Sequence, residues 1–310
     1  MTTTLTRRPH TLSQVVQRAF TKRGRLVRYS VLTGDWDLVT TRDMGATRAI
    51  PLDRAPKFEH RWQQVEKRVP FALEAIHGGK ALGNPRVVST IRDCLAMHMA
   101  RTLDILAVDE AVWQRASEQS VASIAARPST AVSFRTRRGV DPVGLGALEL
   151  EARTIYEEAV TAVKASSHTA ESMLERYDDA RAFLDGLNVE IGRAVEGEFL
   201  ISNAPAQAIK FDNTGVGGLD GIPWRSADTI LMPVDRRFTI GVSRAGGTID
   251  LPQRIVDQLN RRQILAAHEH VAWHPDANLR PFADAHRREH RERVPVLPPG
   301  ADLDVTHFSP

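Results

Sequence analysis

Two charged residues stand where apolar ones belong. In residues 58–77, Trp62, Val65, Val69, Leu73 and Ile76 fall on one face of a helix, and Glu66 sits among them. In residues 86–107, Val87, Ile91, Leu95, Thr102 and Ile105 form a second apolar arc, with His98 inside it and Arg101 at its edge. An unpaired buried charge costs several kcal/mol, so Glu66 and Arg101 are expected to be paired. As a site, Arg101 grips a phosphate or carboxylate while Glu66 orients it or acts as base, and His98 and His10 are the polar groups that would join them. The alternative is a structural ion pair between two helices, with His98 a core histidine bonded to a neighbour.

A second group lies in "AHEHVAWHPD". On a strand, His270 and His274 point to the same side, a spacing that can serve zinc, with Asp276 as a further oxygen ligand. There is one cysteine, Cys94, and no clear acidic cluster to complete such a site, so no cofactor is the default and a divalent metal at His270 and His274 the exception. The glycine-rich "TGVGGLDG" lacks the Lys-Ser/Thr of a phosphate-binding loop and reads as a flexible loop. "FLISNAP", residues 199–205, ends an apolar run in a small polar pair and a proline. It either delivers Asn203 to a site or simply turns.

The elements that must position these residues follow from periodicity. A short helix over 11–20 precedes a β-hairpin over 24–41 turning at "TGDW". The 58–77 helix should kink at Pro70, which has no N–H for the Glu66 carbonyl. Helices are expected at 86–107, 109–125, 147–165 and 170–193, and 126–146 reads as a loop or linker. "EFLIS", "QAIKF", "DTILMPVD", "RFTIGVS" and "HVAWH" read as strands, with a helix over 251–268 before the last. The expectation is α+β: a helical layer from the first half packed on a small antiparallel sheet formed mainly by the second half, one domain over 1–279, and a charged, Pro-rich, flexible tail over 280–310.

Composition sets outer bounds. The 310 residues are 42% hydrophobic, enough for a proper core, and the net charge of +3 permits nucleic acid as a partner without arguing for it. No apolar run is long enough to span a membrane, and the N-terminus has no secretory-type apolar segment; with one cysteine, this fits a cytoplasmic protein.

The order of these features resembles the mostly bacterial family called domain of unknown function 4238. It runs from a His near the N-terminus through "GRLVRYSVLTG", a Glu-bearing helix, an apolar helix ending in Arg-Thr and "FLIS-x-x-P" to a final helix carrying Asn before the last strand. The likeness covers roughly residues 7–275, with His10, Phe20, Glu66, Arg101, Thr102, Ser202, Pro205 and Asn260 at matching positions. Members typically open with His-His-Tyr-Val-Pro and carry Ser-Asp-x-Pro; this chain has neither the Tyr-Val-Pro nor the Asp, which is Asn203. The resemblance implies a fold outline and candidate positions, not an activity. Either the family's Asp is structural and Asn a fair substitute, or it is catalytic and this member is weakened, since an amide is a poor base and a weak ligand.

"RDCLAMH" also resembles the Arg-(four to six)-His spacing of the all-helical HEPN ribonucleases. That spacing recurs at Arg54–His60, Arg262–His268 and Arg280–His286, and Arg92 and His98 lie about 120° apart around a helix, so a core histidine is the favoured reading.

Two functions are carried forward. One is an enzyme acting on a phosphate-containing substrate such as nucleic acid, nuclease-like and in a defence or toxin role. Its catalytic set would be His10, Glu66, His98, Arg101 and Asn203. The other is a non-catalytic module that binds protein or nucleic acid.

Overall fold

The computed structural model describes residues 12–44, 56–101, 117, 119–165, 168–212, 215–217 and 224–290. One domain was expected over 1–279; contacts divide the chain into two compact units, the first made of Met1–Leu103 and Ala170–Arg293, the second of Asp104–Thr169 and Val294–Pro310. The class is the expected α+β, with helices mostly early and strands late.

In the first unit, α1 (Gln14–Arg18) begins at Ser13, whose hydroxyl accepts the Val15 N–H and caps the helix. The hairpin forms as expected from β1 (Arg25–Ser30) and β2 (Trp36–Thr40), paired from Arg25–Thr40 to Tyr29–Trp36. Gly34, at φ +84°, supplies the left-handed residue in its turn.

The long amphipathic helix of 58–77 is two helices, α2 (Pro56–Glu66) and α3 (Val69–His77), broken rather than kinked. Pro70 sits in the first turn of α3, where a missing N–H costs nothing. Next, α4 (Pro85–Ala100) starts at Asn84, whose side-chain oxygen accepts from the amides of Arg86 and Val87. It ends at Ala100, one residue before Arg101; Thr102 and Ile105 lie outside the described residues.

The second unit corrects the loop reading of 126–146. Residues 128–138 form α5 (Pro128–Arg138), and α6 (Leu145–Ala165) starts within the same stretch. The helix expected over 170–193 stops early: after α7 (His168–Asp185) the chain is a strand, β3 (Asn188–Ala194), with Val189 and Ile191 buried.

The remaining elements are β4 (Ile201–Ser202), β5 (Gln207–Asp212), β6 (Gly215–Gly217), β7 (Thr229–Pro233), β8 (Phe238–Ser243), β9 (Gly247–Leu251), α8 (Gln253–Ala266), β10 (His270–Trp273) and α9 (Arg280–His286). The glycine-rich segment read as a loop contributes β6, which pairs with β5. The stretch assigned to the tail contributes α9, whose Ala283 is fully buried.

There are two sheets among the described residues. One has the order β2-β1-β10-β4 and is antiparallel throughout; the other runs β6-β5-β7-β8-β3-β9, with β3 and β9 parallel and the rest antiparallel. Val27 and Tyr29 of β1, with Val31 just beyond its end, pack with Val271 and Trp273 of β10 and with Ile264 of α8. Helix α4 lies against β3, β7 and β8 of the larger sheet. No helix of the described residues is long and apolar enough to cross a membrane.

Candidate functional site

The structure gathers Glu66, His98 and Arg101 around Ser13, which the sequence did not single out, and Trp62, expected only as part of the apolar face. His98, on α4, is 2% exposed. Its Nδ1–H donates to the Cys94 carbonyl at 2.8 Å, and its Nε2 accepts the backbone N–H of Ser13 at 3.3 Å. Those partners define a neutral ring with the proton on Nδ1. The Trp62 ring meets the imidazole edge-on, centroids 5.2 Å apart, and the Arg101 guanidinium lies 4.5 Å over the Trp62 ring. Ser13 also donates its hydroxyl to Glu66 Oε1 at 2.6 Å. Glu66 and Arg101 thus share a neighbourhood, linked through Ser13, His98 and Trp62.

Burial keeps His98 and Cys94 of this cluster in their uncharged forms. Burial pushes the His98 pKa down from 6.5 to about 4, against the Cys94 carbonyl bond that raises it, and the charge of Arg101 lowers it further. Burial, with Glu66 and Asp93 adding to it, pushes the Cys94 thiol up to about 12. At neutral pH the ring has no lone pair to spare and the thiol holds its proton. His10 lies outside the described residues.

Asn203 belongs to another constellation. Its Oδ1 accepts the His268 N–H at 2.9 Å, and its own N–H donates to the His270 carbonyl at 3.3 Å. Beside it, Gln263 Oε1 accepts from both the amide and the hydroxyl of Ser202, and Gln263 Nε2 donates to the Pro205 carbonyl. Asn260 completes the seam, accepting from the Leu200 amide at 3.0 Å and donating to the Glu198 carbonyl at 2.8 Å. "SNAP" is therefore a turn stitched to α8 by side-chain amides.

Arg92 does not join His98 either. Its NH2 group donates to the Leu187 carbonyl at 2.6 Å beyond the end of α7, and its NH1 group lies 3.7 Å from Asp185.

The two histidines proposed for a metal have different neighbours. His274 Nδ1 accepts from Arg236 at 3.3 Å and from the Asp276 amide at 3.2 Å, so that nitrogen is occupied. Asp276 pairs with Lys22 at 2.6 Å, and Arg236 is bonded to Glu198. His270 Nε2 stands 3.7 Å from Glu269. Burial is the first cause lowering the pKa of both rings. Among the described residues, no three His, Cys, Asp or Glu side chains converge as a metal site.

Sequence reasoning missed the strongest ionic hub. Asp93 of α4 takes Arg68 at 2.8 Å on one oxygen, and on the other Arg181 at 2.7 Å and the Tyr177 hydroxyl at 3.0 Å. Its signal was present: a carboxylate two residues from Ile91 and Leu95, on a helix with an apolar arc. Asp235 was also overlooked; it accepts the amides of Arg237 and Phe238 to close the β7–β8 turn and bonds His77 of α3. An open groove of about 450 Å³ lies on the hairpin, lined by Arg25, Arg28, Asp37, Leu38, Thr40 and Asp43, where Arg28 and Asp37 pair through two bonds. No family model matches the chain, and neither a curated protein nor a solved structure does.

Proposed function

We propose that this is a cytoplasmic protein that works by binding rather than by catalysis, with the Glu66–His98–Arg101 cluster serving as a clasp for the N-terminal segment. One observation carries the reading: both ring nitrogens of His98 are bonded to backbone, one to the Cys94 carbonyl and one to the Ser13 amide. A general acid or base must offer a nitrogen to its substrate. Here, doing so would break a hydrogen bond that holds the fold. Protein and nucleic acid are both partner classes open to such a module.

One observation favours the other reading, a metal-independent enzyme acting on a phosphate ester. Three of the five residues expected to act together, Glu66, His98 and Arg101, share one cluster. A cleavage assay separates the two. Labelled RNA and single- and double-stranded DNA are incubated with the purified chain, with magnesium and with chelator, beside a folded Arg101→Ala variant. The binding reading predicts no turnover in any arm. Cleavage by the wild type that is lost in the variant would overturn it.

A further inference from the structure

The stretch 280–290 reads in the sequence as charged tail, and in the structure it is fastened to the fold more than it is buried in it. Helix α9 and the 3-10 turn after it, Arg287–Glu289, pack on the cluster in which Val27 and Tyr29 of β1 meet Val271 and Trp273 of β10. Within 280–290 Ala283 alone is buried, closing the cluster with one methyl group, while Phe282 packs beside it only partly buried. That is little apolar burial to hold a segment of this length.

The rest of the attachment is polar. The Tyr29 hydroxyl donates to Asp284 Oδ1 at 2.7 Å, and Asp284 stands 3.6 Å from Arg280. The Arg280 guanidinium lies 5.3 Å over the ring of Trp36 on β2. Arg287 donates to the Leu32 carbonyl at 3.4 Å, near the limit of a hydrogen bond. Glu289 takes Arg261 of α8 at 2.9 Å and His286 at 3.0 Å, and His290 donates to the Ala267 carbonyl at 2.7 Å. The side chains of Arg280, Asp284, Arg261 and Glu289 are between 37% and 54% exposed, so water and salt screen their charges. A helix as short as α9 does not hold itself in water. Once these fastenings release, nothing local keeps it in place.

The surface beneath is tied differently. Strands β1 and β10 pair from Val27–Trp273 to Ser30–His270, and β10 pairs in turn with β4. Lifting α9 breaks none of those pairs. It uncovers Tyr29, now fully buried, whose ring lies 5.7 Å from that of Trp273. Beside it, on the edge strand β2, Trp36 and Leu38 are already 47% and 46% exposed.

We propose that residues 280–290 are an autoinhibitory strap, which opens as a unit ahead of the rest of the fold and, while closed, keeps the aromatic face of the β1–β2 hairpin from any partner. This rests on none of the residues around His98, and it holds whether that cluster is a clasp or a site.

Hydrogen exchange of the full chain, followed in urea below the unfolding transition, tests it. The amides of 283–287 should exchange roughly tenfold or more faster than those of Tyr29 and Val271, and their rate should rise less steeply with urea, because opening the strap exposes a fraction of the surface that unfolding does. Tyr29→Phe keeps the ring and drops the bond to Asp284, and should speed exchange in 283–287 roughly tenfold. In Ala283→Cys the introduced thiol should react with a disulfide reagent roughly tenfold or more faster than the buried Cys94 of α4. Strap amides that share the rate and urea slope of Tyr29 and Val271 would overturn the proposal, since the strap would then open only with the whole fold. Strap exchange unmoved by Tyr29→Phe would do the same, as would an introduced thiol no faster than Cys94.

Discussion

The backbone N–H of Ser13 points at Nε2 of His98 from 3.3 Å, joining residues 85 apart in the chain. That bond exists only while the imidazole is neutral, since protonation would set one donor against another. The ring is held well below its ordinary range, so folding opposes protonation. Between pH 6.5 and about 4 the unfolded chain binds a proton at this residue and the folded chain does not. Stability should therefore be fully present above pH 6.5 and fall with the pH through this window, by on the order of 3 kcal/mol. Urea denaturation of the wild type beside His98→Gln measures it. The difference between the two proteins should shrink as the pH drops, and a constant difference would contradict the account.

Asp93→Asn should be among the most damaging single changes. It removes the carboxylate from under Arg68 and Arg181 and weakens the bond to Tyr177, whose phenol is pushed above its usual range by burial first and by Asp93 second. Breaking a largely buried pair while leaving its arginine in place costs about 3 kcal/mol. A loss below about 1 kcal/mol in urea or thermal unfolding would show that solvent already screens this hub.

Asn203→Asp should fold and should not cleave nucleic acid, with or without magnesium. The aspartate keeps an oxygen for the His268 amide, and the position faces a turn. Asn203→Leu removes the acceptor from a site only 4% exposed and should cost about 2 kcal/mol. Activity appearing in the Asp variant would restore the catalytic reading of the motif.

Gly192 lies in β3 between β8 and β9. A Cβ there would stand 2.3 Å from Thr239 Oγ1 and 2.7 Å from Leu251 Cδ1, closer than such atoms approach. Gly192→Ala should destabilise by about 1–3 kcal/mol through overpacking. Adding Thr239→Ala should recover part of the loss, and a double variant no better than the single would place the strain elsewhere.

Much of this molecule was legible in the sequence, because local periodicity carries it. The alternation around Tyr29 gave the hairpin; the apolar runs of β5, β7, β8 and β10 and the stripe of α8 followed in the same way. The inward placement of His98 and Arg101 was equally visible, since a helix face is set by spacing alone. Where the reading failed, long-range partners overrode local preference. "NVEIGRA" continues a helical segment in sequence, yet it is a strand because β8 flanks it on one side and β9 on the other. The break before α3 was read as a kink because Pro70 marks a lost hydrogen bond but not how far the chain then turns.

The site was decided by tertiary structure almost entirely. Sequence placed Glu66 and His98 on inward faces, but nothing local says that the amide of one serine would take up the free nitrogen of His98 while its hydroxyl took an oxygen of Glu66. Nor does "SNAP" reveal that its polar atoms turn toward Gln263 and His268, some sixty residues on. A residue's burial follows from the pattern of its own element. Its hydrogen-bond partner follows from which other elements pack against it, and that partner separates a reactive imidazole from a structural one.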